Sequence, residues 1–189
     1  MQLLEKFESF ISVLSGWVWG PPMLILLFGT HIYLTFLLKG LQFRSLPLAF
    51  KIIFTKDTGK GDISQFSTLM TALAATVGIG NIVGVATAIT LGGPGAIFWM
   101  WLTGLLGMAT KYSEGLLAVK YREKGPNGMR GGAMYYISKG ANMPLLGAFF
   151  AFFTVVSAFG VGNMVQANSS AHIFESAFNI STHWTGIFL

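Results

Sequence analysis

Thr76-Val77-Gly78-Ile79-Gly80-Asn81 is the stretch of this chain with the most chemistry to offer, and most of it belongs to the backbone. It lies within residues 63–110, which contain no Asp, Glu, Lys or Arg. A backbone N–H or C=O that leaves helix pairing in so apolar a setting costs several kcal/mol if it faces lipid. Glycine tolerates non-helical backbone and exposes it, so two glycines beside an asparagine predict a broken helix whose freed groups face a solute. The amides opening the second half carry partial positive charge and suit an anionic carboxylate. The carbonyls closing the first half carry partial negative charge and suit a hard cation such as Na⁺. The same residues admit a second reading, in which Gly80 and Gly84 form a GxxxG pair packed against a neighbouring helix.

The element that must position these groups is a long apolar helix. A continuous helix over residues 66–91 would run about 39 Å at ~1.5 Å per residue. The hydrocarbon core of a bilayer is about 30 Å thick, so either tilt or local unwinding absorbs the surplus. Four spans are expected, near 17–38, 66–91, 96–117 and 145–173, with the start of a fifth from 184. Gly92-Gly93-Pro94-Gly95 is the turn between the second and third. Residues 1–189 therefore read as a single transmembrane module of an all-α integral membrane protein. Composition agrees: 10% of residues are charged and 53% hydrophobic, against about 25% charged in a soluble domain. Cysteine is absent, which excludes disulfides and thiolate metal sites. Glu5, Lys6 and Glu8 precede the first apolar run, which argues against a cleaved signal peptide.

Charge placement predicts orientation. Apart from Lys6, every basic residue falls in one of two clusters, Lys39 to Lys60 and Lys111 to Lys139, after the first and third spans. Short basic loops stay cytoplasmic, so the expected protein is a multi-pass cell-membrane protein with its N-terminus outside. The net charge of +5 follows from that topology and implies no nucleic-acid partner. Residues 42–55 read as an amphipathic interfacial segment or a solvated connector, and 120–132 as an irregular hydrophilic loop. No GxxxxGK[ST], HExxH or GxSxG motif occurs, so neither ATP drive nor enzyme chemistry is expected. A channel would need a polar stripe in every span, and only the second and fourth show much polarity.

In the fourth span, Asn163, Gln166 and Ser170 follow i, i+3, i+7 spacing and share one helix face, to bind solute or to glue helices together. Gln166 lies about 32 Å beyond Leu145 along an untilted helix, near the outer surface unless the helix tilts or starts later. Glu114 is expected to pair with Lys111, Arg122 or Arg130, and His31 receives no role. His172 and His183 are not spaced as a metal pair.

The residues 74–86 resemble the broken first core helix of the alanine/glycine:cation symporters, the sodium:alanine symporter family. Gly92 to Trp101 closely matches that family's signature, and Lys111-Tyr112-Ser113-Glu114 and Gly131-Gly132-Ala133-Met134-Tyr135-Tyr136 follow in order. The resemblance covers about residues 61–170. It implies a partial leucine-transporter-like inverted-repeat fold: the first repeat only, plus an extra N-terminal helix. It further implies a substrate site at Thr76, Gly78, Ile79, Gly80, Asn81 and Gln166, with the Ile79 and Gly80 amides receiving a carboxylate. A partial sodium shell is implied at Ala74, Thr76, Val77 and Asn81. Ala133 stands where proline is usual in the family, and Ser138 where an acidic residue is common.

The resulting expectation is sodium-coupled symport of alanine or glycine, with Na⁺ as coupling ion, no other cofactor, and the lipid bilayer as surroundings. Family members run to about eleven spans, so the chain reads as an N-terminal fragment whose second repeat is missing. The alternative is a transport-incompetent membrane remnant, or a subunit that needs a separate second half.

Overall fold

The computed structural model describes residues 2–55, 63–126 and 128–188; Lys56 and Lys60 of the first basic cluster lie outside them. The described chain is helical apart from one short hairpin, and it divides into two compact units.

The first unit comprises Met1–Leu46 and Phe98–Glu114. Helix α1 (Gln2–Val18) gives way at Gly20 to α2 (Pro21–Leu37), which opens on Pro21 and Pro22. Proline suits this place because the N–H it lacks would have no helical partner there. Trp19 N still donates to Ser15 O and Leu24 N to Gly20 O, so the run continues across the junction. Leu4–Leu37 is long and apolar enough to cross a membrane. Lys39 and Gly40 turn the chain at positive φ into α3 (Leu41–Arg44), which precedes α4 (Leu46–Phe54). Residues 98–114, part of α7 (Gly95–Lys120), meet α2 where His31 Nδ1 lies 2.7 Å from Thr110 Oγ1. Gly107 lies against the His31 ring, where even a Cβ would sit in ordinary contact at 3.5 Å from Nε2. Gln42, 6% exposed, donates from Nε2 to Thr35 Oγ1 at 3.1 Å, while its Oε1 has no partner among the described residues.

The second unit comprises Pro47–Ile97 and Gly115–Leu189. It contains α5 (Gln65–Thr76) and α6 (Ile79–Gly92), which bend by 54° about their junction and together are long and apolar enough for one span. Gly93 ends α6 at φ +63, a backbone that side chains resist, and Pro94 leads into α7. The expected irregular loop at 120–132 is instead partly an antiparallel hairpin, β1 (Glu123–Gly125) paired with β2 (Gly128–Arg130). Its physical basis is the two-residue connection between Gly125 and Gly128, with Gly128 at φ +116. Glu123 also forms an ion pair with Lys139.

Helix α8 (Ala133–Tyr135) runs through a π-helical turn, Tyr136–Gly140, towards α9 (Pro144–Ser157). A second π-helical segment, Ala158–Met164, joins α9 to α10 (Val165–Phe178), and α11 (Thr182–Phe188) follows. Gly147 allows α9 to close on this turn: a Cβ would collide with Ser138 Oγ and lie 2.7 Å from the Met134 carbonyl. Gly147→Ala is therefore expected to cost about 1–3 kcal/mol through overpacking. Thermal unfolding in detergent should register a fall of roughly 2–12 °C in Tm; an unchanged Tm would mean that residues 134–138 yield freely.

Very little of the chain covers itself. The only buried apolar side chains among the described residues are Ala109 and Ala171. The accessible surface is 15105 Å², whereas a compact soluble monomer of this mass exposes about 8,800 Å². Phe149, Phe150, Phe152 and Phe153 all face outward. Lipid or further helices must cover these faces.

Candidate functional site

The break is narrower than the six-residue stretch suggested. Ser64 Oγ caps α5 by accepting from Ser67 N at 3.1 Å, and the last closed turn is Val77 N to Leu73 O at 2.8 Å. Val77 (φ −82, ψ 113) and Gly78 (φ −146, ψ 179) are extended, and α6 closes its first turn from Asn81 N to Gly78 O at 3.0 Å. Two residues separate the helices. Carbonyls from Ala74 onward lie beyond the last turn of α5, and the amides of Gly78, Ile79 and Gly80 precede the first turn of α6. The halves thus present opposite partial charges to one place.

Side chains complete the break. Asn81 Nδ2 donates to the Thr76 carbonyl at 2.8 Å, bridging α6 back to α5. With its nitrogen so engaged, Asn81 keeps Oδ1 as an acceptor that takes no hydrogen bond among the described residues. Thr76 Oγ1 spends its proton on the Ala72 carbonyl at 2.7 Å and keeps lone pairs. The atoms expected to meet a cation, the carbonyls of Ala74 and Val77 with Thr76 Oγ1 and Asn81 Oδ1, are all oxygens, the donor type that suits a hard cation. Helix α10 reaches the other end: Gln166 Oε1 accepts from Ile79 N at 3.1 Å.

Gly78 permits this approach, since a Cβ there would lie 3.3 Å from Gln166 Nε2. Gly80 and Gly84 have nothing within 4 Å of a Cβ, so the GxxxG pair packs against no described residue. Gly78, Ile79 and Gln166 are half-buried, while Ala74, Thr76, Val77, Gly80 and Asn81 are exposed. Of the eight residues expected around the break and at Gln166, Ile79 is bonded to Gln166 and Asn81 to Thr76, while nothing lies within 4 Å of a Cβ at Gly80.

Gln166 sits in the run Pro144–Phe178, 35 residues long and apolar enough to cross a membrane. At ~1.5 Å per residue this helix is about 52 Å long and Gln166 is about 18 Å from its far end, so the residue is not forced to the outer surface. Asn163 falls inside the π-helical segment, where the 3.6-residue period behind the shared face fails. It is exposed, whereas Gln166 and Ser170 are half-buried. Glu114 pairs with Lys111 at 2.8 Å, and His172 Nδ1 lies 3.6 Å from Glu175 Oε2. No cluster of His, Cys, Asp or Glu able to hold a metal ion occurs among the described residues. Sequence reasoning missed both the Gln166–Ile79 bond and the Asn81–Thr76 bridge; side-chain type signalled the capacity, but no spacing signalled the partner.

A helix broken at polar backbone, among apolar helices that leave their faces uncovered, defines an α-helical membrane protein. The chain belongs to the sodium:alanine symporter family, whose pattern matches residues 4–189. It is 53% identical to the sodium/alanine symporter AgcS of Methanococcus maripaludis, over 97% of this chain and 42% of that protein. An uncharacterised transporter of Haemophilus influenzae is 55% identical, over 95% of this chain and 40% of its own length. The probable sodium/glutamine symporter GlnT of Bacillus subtilis is 40% identical, over 98% and 39%. The chain thus spans about two fifths of the length of the curated relatives it matches. These relatives are described as transporters, not as enzymes.

Proposed function

We propose that this chain forms the first half of a sodium-coupled symporter that carries alanine or glycine across the cell membrane. The observation that carries the reading is the two-residue break at Val77 and Gly78, which offers amides and carbonyls of opposite polarity to one small volume. The substrate carboxylate takes the Ile79 and Gly80 amides, with Gly78, Thr76, Asn81 and Gln166 around it. Na⁺ takes the Ala74 and Val77 carbonyls with Thr76 Oγ1 and Asn81 Oδ1. The anionic carboxylate and the cation then lie at one break and attract each other, which is a direct physical route to coupling.

The fold proposed is the first repeat of a leucine-transporter-like inverted pair, preceded by an extra helix. Leu4–Leu37, the broken α5–α6 pair and Pro144–Phe178 are long and apolar enough to be three of its spans; α7 is assigned as the remaining one and α11 as the beginning of the next. The N-terminus faces outward, because both basic clusters then lie in the cytoplasm. The exposed flank of the break is where a second repeat supplies the remaining ligands.

Ligand-dependent stabilisation tests the site. With Na⁺ present, alanine at about 100 times its Kd should stabilise the full reading-frame product by ~2.7 kcal/mol, read as a rise in Tm. Alanine without Na⁺ should give a much smaller rise. Equal shifts in Na⁺ and in K⁺ would remove the sodium half of the proposal. Glutamine belongs in the same panel, given the name of the Bacillus subtilis relative.

A further inference from the structure

Ile79 N–H is one of the two donors assigned to the substrate carboxylate, and in this ligand-free chain it already has a partner. Gln166 Oε1 accepts from it at 3.1 Å across 87 positions of sequence. An amide oxygen is a weaker version of a carboxylate oxygen, and it stands at the amino end of α6 where the helix favours negative charge. The other end of the same side chain, Nε2, is a donor. It lies 3.3 Å from the place a Gly78 Cβ would occupy, with Oε1 at 3.7 Å. Because Gly78 has no Cβ, both ends of the amide have room beside the break. The terminal torsion of glutamine is broad and roughly two-fold, so exchanging the two ends needs no change of backbone.

We propose that Gln166 is an internal stand-in for the substrate carboxylate: it caps the Ile79 amide while the site is empty, then turns its amide over to donate Nε2 to the carboxylate that displaces it. The proposal rests on the carboxylate site described above. A charge-assisted bond is about twice as strong as a neutral one, so a carboxylate outcompetes the glutamine oxygen at Ile79. The displaced side chain is not wasted, because its donor end then faces the same anion. Without the cap, an empty site would leave a half-buried N–H unpaired at membrane depth. With it, α10 registers whether the break of α5–α6 is occupied. Anions that cannot accept from Nε2 after taking Ile79 N–H gain less, so the turn also favours a two-oxygen carboxylate over a single-oxygen ligand.

Two variants of the full reading-frame product separate the cap from the turn. Gln166→Met keeps the bulk and loses both hydrogen-bonding ends; Gln166→Glu keeps an acceptor and loses the donor. The readouts are hydrogen–deuterium exchange over residues 77–82 and alanine affinity in Na⁺. Without alanine, Gln166→Met should exchange about tenfold faster than wild type at the Ile79 amide, with the difference vanishing at saturating alanine. Gln166→Glu should stay as protected as wild type without alanine yet bind alanine about 100-fold more weakly, since it repels the anion and cannot donate. Wild-type exchange in empty Gln166→Met would overturn the cap, and wild-type affinity in Gln166→Glu would overturn the turn. Failure of wild type to bind any small amino acid would instead overturn the transport reading and the turn with it, while the exchange comparison would still decide the cap.

Discussion

Gly80→Leu is expected to cut alanine uptake by at least about 100-fold while leaving the fold intact. Loss of a hydrogen bond to a charged group costs about 1.5–3 kcal/mol, and every 1.4 kcal/mol is roughly tenfold in affinity. Leucine keeps the Gly80 N–H, so the loss comes from exclusion: its side chain would occupy the open space beside the Ile79 and Gly80 amides and keep the carboxylate from them. That openness also protects stability: nothing among the described residues lies within 4 Å of a Cβ at Gly80, so the first side-chain carbon meets no neighbour. Initial uptake rates and Tm, measured on the same preparation, check both halves. The packing reading of the GxxxG pair makes the opposite forecast, in which Gly80→Leu and Gly84→Leu lose Tm together and uptake falls only in proportion to folded protein.

Asn81→Ala should move the sodium requirement rather than the turnover alone. The substitution deletes Oδ1, the proposed cation ligand, and also the Nδ2 bond that ties α6 to the Thr76 carbonyl at 2.8 Å. Both losses fall on the cation side of the break, so the Na⁺ concentration for half-maximal uptake is expected to rise about 10- to 100-fold. Coupling between two ligands is reciprocal, so at fixed sub-saturating Na⁺ the variant should also bind alanine more weakly, and high Na⁺ should restore it. A sodium titration of uptake at several alanine concentrations measures this directly. An unshifted sodium curve would remove Asn81 from the cation shell.

The site was legible from sequence to the extent that it depends on composition. Uncharged residues on both sides of Gly78 and Gly80 made a helix break costly unless used, and the structure puts the break there. The reason for the glycines was less legible. Neither adopts positive φ; Gly78 is extended, as any residue could be, and is small so that Gln166 can approach. The turn at Gly93 was readable because its φ of +63 is the backbone glycine favours. The Gln166–Ile79 bond was not, since local periodicity carries no information about partners 87 residues apart. The π-helical segment Ala158–Met164 shifted the phase of the helix and removed Asn163 from the expected face. The hairpin at Glu123–Arg130 was hidden among turn formers that suit a hairpin connection as well as a loop.

The central claim is that one break binds both an amino acid and Na⁺ and thereby couples their movement. Purified full reading-frame product in liposomes, with radiolabelled alanine outside and an inward Na⁺ gradient imposed, tests it most directly. The account predicts alanine accumulation above equilibrium that collapses when the gradient is dissipated and is absent when K⁺ replaces Na⁺. Accumulation of equal size under an inward K⁺ gradient, or none in either salt, would contradict it.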